Sequence, residues 1–60
     1  MTVKEFKTNN IVENAKRVNY YDTNGVNISN KPPIILNLLE VIGISVLSDG
    51  TVNVDVNYTE

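Results

Sequence analysis

Cysteine, histidine and tryptophan are all missing from this chain, and the first two absences each remove a class of function. Without cysteine there is no disulfide; without cysteine or histidine there is no ordinary zinc site and no side chain whose unshifted pKa suits it to act as base or nucleophile near neutral pH. Glycine and proline are scarce, at three and two residues, so the few turns carry much of the specification. Charge is thin as well. Five basic and seven acidic side chains give a net −2 and a pI near 4.8, which argues against a nucleic-acid partner and is too small for a DNA mimic. No segment approaches the roughly 20 apolar residues of a membrane span. Met1-Thr2-Val3-Lys4-Glu5-Phe6-Lys7 places charges where a secretory signal needs an apolar run. The expectation is a cytoplasmic protein with no membrane contact.

Catalysis has little to work with. The carboxylates Glu5, Glu13, Asp22, Glu40, Asp49, Asp55 and Glu60 are scattered, and so small a domain has little room for a buried cleft in which a pair of them could be tuned apart. Asp22-Thr23-Asn24-Gly25 resembles the opening of a calcium loop, but the glycine is not at the sixth position and no glutamate stands at the twelfth. Turn chemistry accounts for those residues. The sequence therefore predicts no enzyme, no catalytic or metal-binding residue and no cofactor.

What is present is turn and strand signal. Sixty residues make one domain, 1–60, that buries only about 60% of its unfolded surface. Ser48-Asp49-Gly50 separates two runs of alternating apolar residues. A two-residue Asp49-Gly50 loop would mix apolar and polar groups on both faces; a three-residue loop with Gly50 left-handed pairs Val46 with Val52, Ile44 with Val54 and Ile42 with Val56 on one aliphatic face. The same test at Thr23-Asn24-Gly25 favours a three-residue loop over an Asn24-Gly25 turn, because it gathers Val18, Tyr20, Val26 and Ile28 on one face and leaves Asn19, Tyr21, Asn27 and Ser29 on the other.

Between these hairpins, Pro33 suits a first helical turn and Gly43 a left-handed C-cap, with Ile35, Leu38, Leu39 and Ile42 on a buried side and Asn37 and Glu40 sharing a solvent stripe. The alternative is a long buried strand running into Ile44-Ser45-Val46. The reading adopted is an α+β domain: two antiparallel β-hairpins, about 15–30 and 42–58, in one sheet, with a short helix at about 33–42 on its aliphatic face. An all-β meander is the alternative. At the N-terminus Asn10-Ile11-Val12-Glu13 resembles a capping box and a strand from Val12 fits as well; Val3 and Phe6 either pack on the domain or form an extra edge strand, and residues 1–10 are otherwise expected as a partly mobile arm.

Ten asparagines, at 9, 10, 14, 19, 24, 27, 30, 37, 53 and 57, fit the codon usage of an AT-rich genome, such as that of a low-GC bacterium or one of its phages. Asn27-Ile28-Ser29 and Asn57-Tyr58-Thr59 match a glycosylation sequon by coincidence in so asparagine-rich a chain without a secretory signal. Around Lys16-Arg17-Val18-Asn19-Tyr20-Tyr21, basic and aromatic residues interleave as on strands that stack single-stranded bases, but only Tyr21 is placed for stacking. Arg17, Asn19 and Tyr21 on the wet face serve better as protein contacts.

A 60-residue chain without staples, with open sheet edges and surplus aliphatic residues, also predicts a homodimer, its interface centred on Ile34, Leu38 and Val41 with an edge strand. The functional expectation is a non-enzymatic protein-interaction module, an accessory protein of a phage or low-GC bacterium. A self-assembling structural component is the alternative, and a weak single-strand nucleic-acid binder comes third. Asn24, Gly25, Asp49 and Gly50 are assigned to the turns.

Overall fold

The computed structural model describes residues 1–8 and 14–59. Among these residues, ones with strand propensity fill β1 (Arg17–Tyr21), β2 (Val41–Val46) and β3 (Thr51–Val56), and two one-turn helices are described, α1 (Val3–Phe6) and α2 (Pro33–Leu36). The sheet has the order β1-β3-β2. β3 takes the centre because its alternation is the cleanest in the chain: Val52, Val54 and Val56 face the core, while Thr51, Asn53 and Asp55 face the other side. β2 runs antiparallel to it and β1 parallel, so the sheet is mixed, not the single antiparallel sheet that the hairpins predict.

Both turns have the expected geometry. Leu47 N–H donates to Thr51 O and Gly50 N–H to Leu47 O; likewise Asp22 N–H donates to Val26 O and Gly25 N–H to Asp22 O. Gly25 and Gly50 have φ of 80° and 93°, the left-handed region that a three-residue loop needs. Asp49 Oδ1 accepts from Thr51 N–H, and the buried Asp22 accepts from both Asn24 and Val26 N–H through Oδ1.

The second hairpin follows with Gly43 opposite Asp55, Ile44 opposite Val54, Ser45 opposite Asn53 and Val46 opposite Val52. At its base it departs from expectation. Val41, not Ile42, stands opposite Val56, and Ile42 is the extra residue of a β-bulge. The first hairpin stops early. Past the turn, the returning chain makes an isolated bridge between Tyr21 and Asn27, and Ile28 N–H donates to Tyr20 O. At the next position the Ser29 hydroxyl, in place of a backbone carbonyl, takes the N–H of Tyr20. Tyr20 and Ile28 are buried as expected and Val18 packs against the core, but Val26 is 56% exposed. The side of β1 that a full hairpin would not use is taken by β3.

The helix expected over 33–42 is a single turn. Pro33 does start it, after Pro32. It ends at Leu36, where short i to i+3 bonds from Leu38 N–H to Ile35 O and Leu39 N–H to Leu36 O turn the chain toward β2. Gly43 is therefore a strand residue and not a C-cap. The burial pattern changes with it: Leu36 enters the core and Leu39 packs against it, while Ile35, Leu38 and Ile42 are exposed.

Residues 1–8 pack on the domain through Val3 and Phe6, as one of the expectations for them has it. Thr2 caps α1 with a capping box: its hydroxyl accepts from Glu5 N–H, and the Glu5 carboxylate accepts from Thr2 N–H. Val3 and Lys4 N–H, which a helix N-terminus leaves unpaired, donate to Leu39 O and Asn37 O. Thr2 also bridges Glu40, Val41 N–H donates to Met1 O, and the Met1 amine meets Glu40 at 3.0 Å. Val3 and Phe6 are fully buried and join Tyr20, Ile28, Leu36, Val52, Val54 and Val56 in one core. The capping box expected at 10–13 and the strand start at Val12 lie outside the described residues.

Candidate interaction surface

The sheet has a polar face and an aliphatic face, and each offers a candidate. On the polar face, Arg17, Asn19 and Tyr21 of β1 stand opposite Thr51, Asn53 and Asp55 of β3, a pairing that two local hairpins do not predict. Their environments differ. Arg17 is exposed, whereas Asn19 and Tyr21 are half-buried, and Asn19 Nδ2 donates to Asn53 Oδ1 at 3.3 Å. At one end of this face a recess of about 330 Å³ is lined by Lys16, Arg17, Asp49 and Thr51. The Asp49 carboxyl is held below its ordinary range mainly by accepting from the Thr51 backbone N–H, with Arg17 adding a smaller attraction. Of the charges in this recess, that of Asp49 is answered by a neighbour in the fold.

The aliphatic face is covered unevenly. α1 and α2 supply Val3, Phe6 and Leu36 to the core, and Val52, Val54 and Val56 below them are between 0% and 1% exposed. That cover stops short of β2. Ile44, opposite Val54, is 40% exposed, and Val46, opposite Val52, is 62% exposed. The bulged Ile42 is exposed beside them, and Leu47 is exposed on the opposite face.

The backbone of β2 is open too. Leu47 N–H donates to Thr51 O and so points inward; by the alternation of an antiparallel ladder Ser45 and Gly43 also bond inward to β3, while the N–H and C=O of Ile44 and Val46 point to the free side. Residues 1–3 cover that side only beside Leu39–Val41. Among the described residues nothing pairs with it from Ile42 to Val46. The other flank of the sheet is better closed, since Val26–Ser29 take the outer groups of Tyr20 and Asp22.

The residues expected at an interface separate accordingly. Ile34 and Leu38 are each 76% exposed, on α2 and just after it. Val41 is not available: it is half-buried against the core and its N–H is taken by Met1 O. The free edge at Ile44 and Val46 is more open than the sequence assignment implied, because the paired register alone makes both residues look like core. The signal that could have found it is the lack of any charge from Val41 to Ser48, since edge strands are ordinarily guarded by charged side chains.

Among the described residues no three carboxylates gather into a possible metal site, and no helix is long and apolar enough to cross a membrane. The Tyr20 hydroxyl pKa is raised by burial, and its role is in the core. Comparison with protein-family models, with curated proteins and with solved structures finds no match for this chain.

Proposed function

We propose that this chain is a non-enzymatic interaction module that takes another polypeptide onto the open edge of β2. One observation carries the reading: Ile44 and Val46 sit on the core side of a strand whose outer backbone groups have no partner among the described residues, and no charge lies between Val41 and Ser48 to keep a further strand away. Strand addition satisfies those backbone groups and removes aliphatic surface from water in one step. The polar face, where Asn19 and Asn53 bond to each other, has less to gain from a partner. The asparagine-rich composition fits a source in a low-GC bacterium or its phage, and the reading adopted is an accessory protein whose target is a protein of that cell.

A photo-crosslinking residue at position 46 tests this in cells that make the protein, with position 24, in the turn at the opposite flank, as the control. The expected result is protein adducts from position 46 well above those from position 24. Equal, background-level adducts at both positions overturn the reading.

A further inference from the structure

The arrangement of edges points to a specific occupant, and we infer that it is a second copy of this chain, added antiparallel through β2 about a two-fold axis at Ser45; the inference rests on the interaction-module reading and names its partner.

Closure comes first. Among the described residues only one flank of the sheet carries a long uncharged open stretch, at β2; the flank of β1 is occupied at Tyr20–Asp22 by the chain's own Val26–Ser29, and what remains is bordered by Lys16 and Arg17. A head-to-tail filament needs two complementary edges. With one, the same surface must serve both partners, and association ends at two copies.

The register follows from which groups point outward. Ile44 and Val46 present N–H and C=O to the open side, and Ile42 belongs to the bulge. The regular stretch is thus 43–47, and its centre is Ser45. A two-fold axis there sets Ile44 opposite Val46 of the other copy in two hydrogen-bonded pairs, four N–H···O bonds in all, with the two Ser45 residues facing each other as a non-hydrogen-bonded pair. Shifting the axis to Ile44 makes the outer pairs depend on the bulged Ile42.

Side chains agree with this choice. On the aliphatic face Ile44 and Val46 of each copy adjoin their counterparts, so the two half-covered cores become one continuous strip. On the polar face Leu47 comes to lie beside Gly43 of the other copy, where the missing side chain leaves room, and the serines meet between them. No like charges are brought together, because 41–48 has none. The interface is small, at the low end of specific contacts, so the dimer should dissociate on dilution.

The experiment uses the full chain. Light scattering or sedimentation over a hundredfold dilution should show the mass passing from two chains to one. Val46→Lys, at a position 62% exposed in the single chain, should weaken association by about tenfold or more, since its ammonium must be desolvated beside Ile44. If that variant does not fold by circular dichroism, Ile44→Pro serves instead, because it removes an outward donor and leaves the ladder to β3 intact. With no native cysteine, a single Ser45→Cys can be oxidised with diamide: a non-hydrogen-bonded pair holds its Cα atoms about 4.5 Å apart, within disulfide reach. It should give covalent dimer in high yield, and Asn24→Cys should not.

A single-chain mass throughout, growth beyond two chains, a dimer indifferent to a folded Val46→Lys or Ile44→Pro, or equal disulfide yields at positions 45 and 24 overturns the inference. A monomeric purified chain that still gives adducts with other proteins from position 46 would remove the second copy and leave the interaction module standing. Failure at both levels removes both.

Discussion

Asn19 and Asn53 are 34 positions apart in the chain, yet their side chains bond across the ladder, Asn19 Nδ2 donating to Asn53 Oδ1 at 3.3 Å. The contact exists because β1 lies parallel to β3 with Asn19 opposite Asn53. In a sheet made only of two local antiparallel hairpins nothing requires these residues to meet.

That pair provides a test of the topology. Asn19→Ala and Asn53→Ala should each destabilise modestly, and the double variant should lose less than the sum, with a coupling of about 0.5 to 1 kcal/mol. Urea denaturation of the four proteins measures it. Strict additivity would mean that the two side chains do not meet in solution.

The N-terminal turn should be part of the cooperative unit. Phe6→Ala empties a fully buried site and should cost about 3 to 5 kcal/mol, enough to unfold so small a domain. Thr2→Ala removes the cap of α1 and should cost about 1 kcal/mol. Melts that ignore Phe6→Ala would detach α1 from the core.

The two left-handed glycines should respond unequally. At Gly25 an added Cβ meets nothing within 4 Å, so Gly25→Val should cost about 1 to 2 kcal/mol from backbone strain alone. At Gly50 the added Cβ would lie 3.2 Å from Lys16 Cβ, and Gly50→Val should be the worse of the two. Thermal midpoints of the pair provide the ordering. Equal, unshifted midpoints would show that neither turn needs a positive φ.

Acid should weaken the fold through two identifiable carboxyls. Glu5 is held below its ordinary 4.5 chiefly by the Thr2 backbone N–H, and Asp49 below its ordinary 3.8 chiefly by that of Thr51. Each binds its proton less readily folded than unfolded, so its contribution is complete above the ordinary value and disappears as pH falls through the lowered one. Denaturation midpoints should therefore drop below about pH 4.5. Glu5→Gln and Asp49→Asn should each flatten that drop, and an unchanged pH profile in both would mean that other groups govern it.

Much of the local structure was legible in the chain. Gly25 and Gly50 reveal their loop lengths because only the three-residue turn sorts the flanking valines and isoleucines onto one face. The same sorting predicts the register from Gly43 to Leu47. Thr2-Val3-Lys4-Glu5 is itself a capping-box pattern, so the first helical turn was legible too. The helix at 33–42 is less legible: a nearly all-apolar segment has no clear period, so Pro33 and Gly43 look like its ends, whereas the chain has room for one turn before β2 begins.

The sequence by itself determined the two turns, the alternation of β3 and the pairing of β2 with β3, because a period of two and a left-handed glycine act over a few neighbouring residues. Only the tertiary structure decided that β1 joins β3 in parallel, that α1 closes the core, that Ile42 is a bulge and that Ile44 and Val46 lie at an uncovered edge. Each of those depends on which distant segment covers which face, and a side chain's identity states that it would be stable when buried without stating what will bury it.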